Sequence, residues 1–218
     1  MNIDGLEVNS PEYWEIRHQR EDWPRSSSWA MDVIKDQIPH QAKVLIVGCG
    51  QGEEAIYIIN HRPDVRIVAF DVSPTAIEKA RQKLENNSHM FIHYMVADVF
   101  NLKNALKNQE FDYAFSIQNF EHWKPSTHVE ALRQIWSRIK PGGKFFFTGV
   151  GRAWDLSIMN YSPMEYMGKT IQAPNDYHYN NWSEQDVYDL FMKDPIQAKT
   201  VTFWRLRRNN RVVAEAQK

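Results

Sequence analysis

Residues 43–52 read Lys-Val-Leu-Ile-Val-Gly-Cys-Gly-Gln-Gly, and Asp71 closes the next apolar run. That spacing suits the recognition of a nucleoside. Gly48 permits a sharp turn after an apolar strand, and Gly50, having no Cβ, lets a ligand approach the backbone. Cys49, Gln51 and Gly52 complete the loop. Asp71 follows 65–70, 19 residues after Gly52, where a carboxylate can accept from both hydroxyls of a ribose. The ligand should carry no phosphate at the loop. The third glycine comes one residue too early for the dinucleotide fingerprint G-x-G-x-x-G. Glu53 and Glu54 fill the first helical turn, where they would repel a pyrophosphate.

S-adenosylmethionine meets these terms: it has a ribose, no phosphate and a cationic sulfonium. A methyl acceptor that must lose a proton needs a base. His122, after the fourth strand, is the first candidate, because the unperturbed pKa of a histidine lies near neutrality. His178, Tyr177 and Asp155 are weaker candidates, and Glu121 is expected at the solvent.

The elements that must position these groups alternate. Strand patterns over 44–47, 65–70, 91–96, 113–116 and 144–148 are interleaved with helical patterns, which argues for βαβ units and a parallel sheet. Ser73-Pro74 should start one helix, with Ile77, Ala80 and Leu84 inward. Thr127-His128-Val129-Glu130 reads as a capping box opening another, whose stripe is Val129, Leu132, Ile135, Trp136 and Ile139. Ser183 should open a late helix, with Val187, Leu190 and Phe191 inward. Strands over 200–206 and 211–216, joined through Asn209-Asn210, read as a terminal hairpin. Gly142-Gly143 reads as a turn. In such a sheet, ligands bind at the carboxyl ends of the strands, where the glycine loop, Asp71, Asp98 and 116–123 all fall.

At this point the chain resembles the class I S-adenosylmethionine-dependent methyltransferases, over nearly its whole length from Lys43. Gly48-Cys49-Gly50-Gln51-Gly52 is similar to the family's first motif and Asp71 to its ribose-binding acid. Ala97-Asp98-Val99 resembles its adenine-binding step. Phe111–Ser116 resembles its fourth strand, followed by a Glu121-His122 step. Ile139–Lys144 resembles the turn into its fifth strand. The resemblance implies a Rossmann-like, doubly wound, mostly parallel seven-stranded α/β sheet with a C-terminal antiparallel hairpin. It implies S-adenosylmethionine as cofactor, held by Gly48, Cys49, Gly50, Gln51, Gly52, Asp71, Val72, Asp98, Val99, Ser116 and Ile117. Ile46 stands where many members carry an acid.

The chain of 218 residues suits one domain: an N-terminal cap segment 1–42, a cofactor core 43–149, an insert 150–182 and a final unit 183–218. The insert is too long for a routine connection and is expected to be a substrate lid. Trp14, Trp154, Tyr177 and His178 are expected to line the acceptor pocket, since aromatic groups combine apolar area with polar handles. No metal site is expected.

A net charge of −1 gives no field toward nucleic acid or anionic membranes. The single cysteine suits a reducing, cytoplasmic setting, and neither a signal peptide nor a membrane span is expected. A cysteine nucleophile for pyrimidine C5 is missing, the Asn/Asp-Pro-Pro-aromatic step of base-amine methyltransferases is not matched, and the paired glutamates of arginine methyltransferases are not matched. The expected partner is therefore a small-molecule acceptor, without nucleic acid or membrane. Two alternatives remain open: a non-catalytic cofactor-binding protein, and an aminopropyl transferase. Oligomeric state is not readable.

Overall fold

The computed structural model describes residues 6, 10–20, 28–85, 91–151, 170–172, 178–193, 195–204 and 211–218. Its backbone is a nine-stranded sheet. Strands β1 (Lys43–Val47), β2 (Arg66–Asp71), β3 (Ile92–Val96), β4 (Phe111–Ile117) and β5 (Ile139–Gly151) run parallel in the order β3-β2-β1-β4-β5. Two further short strands, β6 (Thr170–Gln172) and β7 (His178–Trp182), precede β8 (Thr200–Trp204) and β9 (Arg211–Gln217). β9 joins β5 antiparallel and β8 joins β9 antiparallel. The seven-strand core and its terminal antiparallel pair are those expected; the linking residues 205–210, with Asn209-Asn210, lie outside the described residues.

The apolar runs are strands because both faces of the sheet are covered. Side chains alternate between two cores. Leu45, Val47, Val68, Phe70, Phe145 and Phe147 face one. It is completed by Leu132 and Ile135 of α6 (His128–Ser137) and by Val187 and Phe191 of α7 (Glu184–Met192). Val44, Ile46, Ile67, Ala69, Tyr113 and Phe146 face the other, against α2 (Ser28–Gln37), α3 (Glu53–His61) and α4 (Pro74–Glu85). The N-terminal helix α1 (Pro11–Arg20) packs on α4, and a short α5 (Leu102–Ala105) follows β3.

Ser73 caps α4 as expected, its hydroxyl accepting from Ala76 N at 3.1 Å. Ser183 and Asp186 form a complete capping box on α7. Four local expectations fail, one of them the place of Ile139, which opens β5 instead of closing the α6 stripe. Thr127 makes no side-chain cap on α6. Its hydroxyl donates instead to Lys124 O at 2.8 Å, because a 3₁₀ turn (Pro125–Thr127) leads directly into the helix. Val129 is 45% exposed rather than inward; the buried stripe is His128, Ala131, Leu132, Ile135 and Trp136, so the histidine takes the place given to the valine. Gly142-Gly143 is an irregularity within β5 rather than a turn before it. Ile139 already pairs with Phe111, and the register shifts before Lys144 meets Tyr113.

The insert adds what its sequence did not announce. β6 and β7 pair antiparallel, and β7 joins the end of β5 in parallel at Val150 and Gly151. β4 leaves β5 at Thr148 while β9 follows the opposite edge as far as Val150. β7 therefore continues along the edge that β4 vacates.

Candidate functional site

A cavity of 310 Å³ opens where β1, β2, β3 and β4 end. Its wall includes Gly48, Cys49, Gly50 and Gln51 of the glycine loop, Asp71 and Val72 after β2, Asp98 and Val99 after β3, and Ile117 at the end of β4. Residues separated by up to 69 positions in the chain thus meet at one place. Gly52 and Ser116 lie outside this wall.

The glycines are required by conformation and by crowding. Gly48, Gly50 and Gly52 have φ of 64°, 50° and 85°, a region that costs residues with a Cβ. A Cβ on Gly48 would come within 2.1 Å of Asn119 Oδ1, and one on Gly52 within 2.4 Å of the Tyr94 hydroxyl. That hydroxyl donates to Gly52 O at 3.0 Å, so the third glycine serves helix–strand packing. Asp71 is buried, and its carboxylate braces the loop: Oδ2 accepts from Gly50 N at 2.9 Å and Oδ1 from Ser73 N at 3.0 Å. Asp98 caps its own turn, Oδ1 accepting from Phe100 N at 2.9 Å; its second oxygen can serve a ligand. Burial pushes the Cys49 thiol well up, with Asp71 adding to the effect, so Cys49 is a packing group. Glu53 is paired with Lys83, which also donates to Gln51 O at 3.1 Å. The helix start is therefore less anionic than its sequence suggests.

The turn after β4 is held from two sides. The Asn119 amide nitrogen lies 2.8 Å from Val47 O and 3.0 Å from Ile117 O. Behind it, His128 Nε2 is 2.9 Å from Phe120 O and 3.1 Å from Trp123 O. Burial depresses the His128 pKa to about 4; as neutral imidazole it donates to these carbonyls. Between these ties sit Glu121, His122 and Trp123, all in the cavity wall. Glu121 is 1% exposed, not at the solvent as expected, because β7 packs over the turn Phe120–His122 that carries it.

α1 forms the remaining wall through Pro11, Trp14 and His18. The Trp14 and His122 rings meet edge to face at 4.9 Å. Burial lowers the His18 pKa against the pull of the nearby Asp71 charge. The helix is fastened by Glu15, which accepts from Ser73 Oγ at 2.6 Å and Thr75 N at 3.1 Å, and by Lys79, whose Nζ donates to His18 O at 2.7 Å.

Of the expected pocket residues, Trp14 lines the cavity, Trp154 and Tyr177 lie outside the described residues, and His178 opens β7 opposite Gln172. The sequence reading placed 116–123 at the ligand-binding strand ends but gave Gln118 and Asn119 no part there and Glu121 a solvated one, and it missed His18 as a wall residue. Trp14 and His18 had a usable signal, because i and i+4 share one helix face. Among the described residues, no group of three or more His, Cys, Asp or Glu could hold a metal ion.

Residues 44–143 match the family model described as a methyltransferase domain. The chain is 23% identical over 201 residues, 85% of its length, to a tRNA(Thr) (cytosine(32)-N(3))-methyltransferase of Saccharomyces cerevisiae. It covers 32% of that relative and spans no more than about two-fifths of the first curated relatives it matches. Among solved structures, a Pyrococcus horikoshii protein is similar with a TM-score of 0.72 at 18% identity, covering 94% of this chain and 98% of that one. The Burkholderia thailandensis 1,6-didemethyltoxoflavin-N1-methyltransferase, solved with 1,6-didemethyltoxoflavin and S-adenosylhomocysteine bound, is similar with a TM-score of 0.69 at 16% identity. That match covers 96% of this chain and 86% of that one.

Proposed function

We propose that this chain, a member of the class I S-adenosylmethionine-dependent methyltransferase family, binds S-adenosylmethionine in its cavity and moves the methyl group to a small-molecule acceptor. The observation that carries this reading is the convergence of the glycine loop, Asp71 and Asp98 on one cavity.

The residues fit the cofactor. The loop backbone at Gly50 is open to close approach: a Cβ there would meet only His18, at 3.8 Å. Asp71 would accept from the ribose hydroxyls and Asp98 from the adenine amino group. Val72, Val99 and Ile117 would flank the ring with apolar surface. When bound, the cofactor supplies an electrophilic methyl group on a good leaving group. The protein's part is then to position the acceptor and exclude water. Trp14 and His122 close the wall on the side of the β4 turn. An acceptor that must lose a proton would give it to His122, and one that arrives unprotonated would need no base. The insert 150–182 would cover the acceptor, and the buried single cysteine fits a cytoplasmic setting.

A nucleobase in RNA is the second reading, favoured by the similarity to the yeast tRNA enzyme along 85% of this chain. The near-neutral net charge of −1 supports the small acceptor, since an RNA footprint needs clustered cations. The test is transfer of labelled methyl from S-adenosylmethionine to a fractionated metabolite extract and, separately, to unmodified tRNA. Label in the metabolite fraction is the expected result. Label in tRNA alone would overturn the acceptor class. Cofactor binding with no labelled product would overturn turnover itself.

A further inference from the structure

We infer that Gln118 orients the methyl acceptor through its side-chain amide, an inference that rests on the transfer reading above. Gln118 is the first residue after β4 and lies in the cavity wall. Its φ is 56°, in the left-handed region that costs residues with a Cβ. A glycine would adopt that conformation readily, and the chain has glycine at 48, 50 and 52, where φ is also positive. Among the described residues, Gln41, Lys107 and Gln197 are the other non-glycine residues with positive φ. All three sit in connections between elements and outside the cavity wall. Gln118 alone of the four combines a strained backbone with a place against a ligand.

Strain of this kind persists where the surroundings over-determine it, and it gathers at ligand sites. Both neighbours of Gln118 are pinned. Its own N–H donates to the hydroxyl of Thr148, a fully buried residue of β5, at 3.2 Å. The Asn119 amide donates to Ile117 O at 3.0 Å and to Val47 O at 2.8 Å. These ties also separate the duties of the two residues. Asn119 reaches back to β1 and the glycine loop. Gln118 is tied to β5, on the other side of β4 in the order β3-β2-β1-β4-β5. Asp71 and Asp98, at the ends of β2 and β3, lie beyond β1 from it. Past Thr148 the edge of β5 passes to β7, which packs over the turn carrying His122. Gln118 therefore stands where the cofactor wall gives way to the side assigned to the acceptor.

An amide suits this place. It carries no charge, and it offers two N–H donors and a carbonyl acceptor. It can hold a hydroxyl, an amine or a carbonyl beside the accepting atom without taking a proton, a task left to His122. In-line transfer depends on the distance and angle at which the acceptor is held. A side chain that starts from a fixed backbone loses less freedom when it binds.

Two variants separate the side chain from the backbone. Gln118→Gly removes the amide and the conformational cost; Gln118→Met keeps the length and the cost and removes the amide. The full chain and both variants are compared in labelled methyl transfer to diluted metabolite extract, in calorimetric titration with S-adenosylhomocysteine, and in thermal unfolding. Both variants should lose transfer about tenfold, the scale of one hydrogen bond left unmade, and should keep S-adenosylhomocysteine affinity within about twofold. Gln118→Gly should unfold at a Tm no lower than that of the wild-type chain. Unchanged transfer in both variants would overturn the inference. A parallel loss of S-adenosylhomocysteine affinity would do the same and make Gln118 a support of the cofactor wall. A lowered Tm for Gln118→Gly would make the side chain a structural brace and also overturn it. If tRNA alone is labelled, the comparison is made with tRNA and the same results decide it. A wild-type chain that binds S-adenosylhomocysteine and labels nothing would remove the transfer reading and this inference with it, and one that binds no S-adenosylhomocysteine would remove the cofactor reading.

Discussion

Asp71 does two things with one carboxylate. It accepts from two backbone N–H groups that set the glycine loop and the start of α4, and in the proposed complex it accepts from the ribose. Asp71→Asn keeps the size and removes the charge. A hydrogen bond to a charged group contributes about 1.5–3 kcal/mol, so the affinity for S-adenosylhomocysteine should fall tenfold or more in a calorimetric titration; unchanged affinity would refute the ribose role. His128 carries a stability prediction. Its folded pKa, about 4, lies below the ordinary 6.5 because burial disfavours the charged form. Below pH 6.5 the unfolded chain gains a proton that the native chain refuses. This contribution is therefore present above pH 6.5 and is lost as pH falls toward 4, on the order of 3 kcal/mol in all. His128→Gln, which keeps an N–H donor, should show a smaller drop in Tm between pH 7.5 and pH 4.5 than the wild-type chain. An equal drop would assign the pH dependence elsewhere.

α1 is an element whose place depends on a few polar contacts. Glu15 accepts from the hydroxyl of Ser73 and from the Thr75 amide at the start of α4, where helix N-termini favour anions. Burial works against the charge, yet the hydrogen bonds from Ser73 and Thr75 hold its carboxyl below the ordinary range. Because α1 brings Trp14 and His18 into the cavity wall, its docking and cofactor affinity should be coupled. Glu15→Ala should speed amide hydrogen exchange across 14–20 and weaken S-adenosylhomocysteine several-fold, while exchange in β1 and β4 stays slow. Faster exchange with full affinity would show that α1 is dispensable to the site. The β4 turn shows the opposite case. Strands cover it and side chains tie it on both sides, so it should remain rigid when α1 loosens.

At the scale of the molecule, the parallel order β3-β2-β1-β4-β5 brings the strand ends that form the cavity side by side, while the β9 and β8 strands seal the far edge of β5. β7 takes the edge of β5 that β4 leaves, directly over the turn bearing Glu121 and His122. The insert therefore reaches the site through the sheet itself. Replacing 153–168 with a short Gly-Ser linker should leave S-adenosylhomocysteine affinity within twofold and abolish methyl transfer in the acceptor assay. Retained transfer would refute the lid. A lost affinity would show that the insert also serves the cofactor.

The sequence by itself determined the parallel core and most of the proposed cofactor wall. Both depend on short-range signals: apolar runs of strand length, glycines at a turn with positive φ, an acid at a strand end, and a serine before Pro74 or Glu184. Such signals act over a few residues, and Gly50, Asp71 and Asp98 lie where those signals placed them. Tertiary structure alone decided the rest. Nothing local distinguishes a solvated glutamate from Glu121, which is buried because β7, some 60 residues later, covers its turn. Nor does the 127–130 pattern reveal that His128 faces inward in place of Val129, a choice made by the carbonyls of Phe120 and Trp123. His18 enters the cavity wall because α1 docks on α4, where Glu15 meets the Ser73 hydroxyl 58 residues away and Lys79 meets the His18 carbonyl. Burial and long-range hydrogen bonds are properties of the packed chain, and they set which of its acids and imidazoles can meet a ligand.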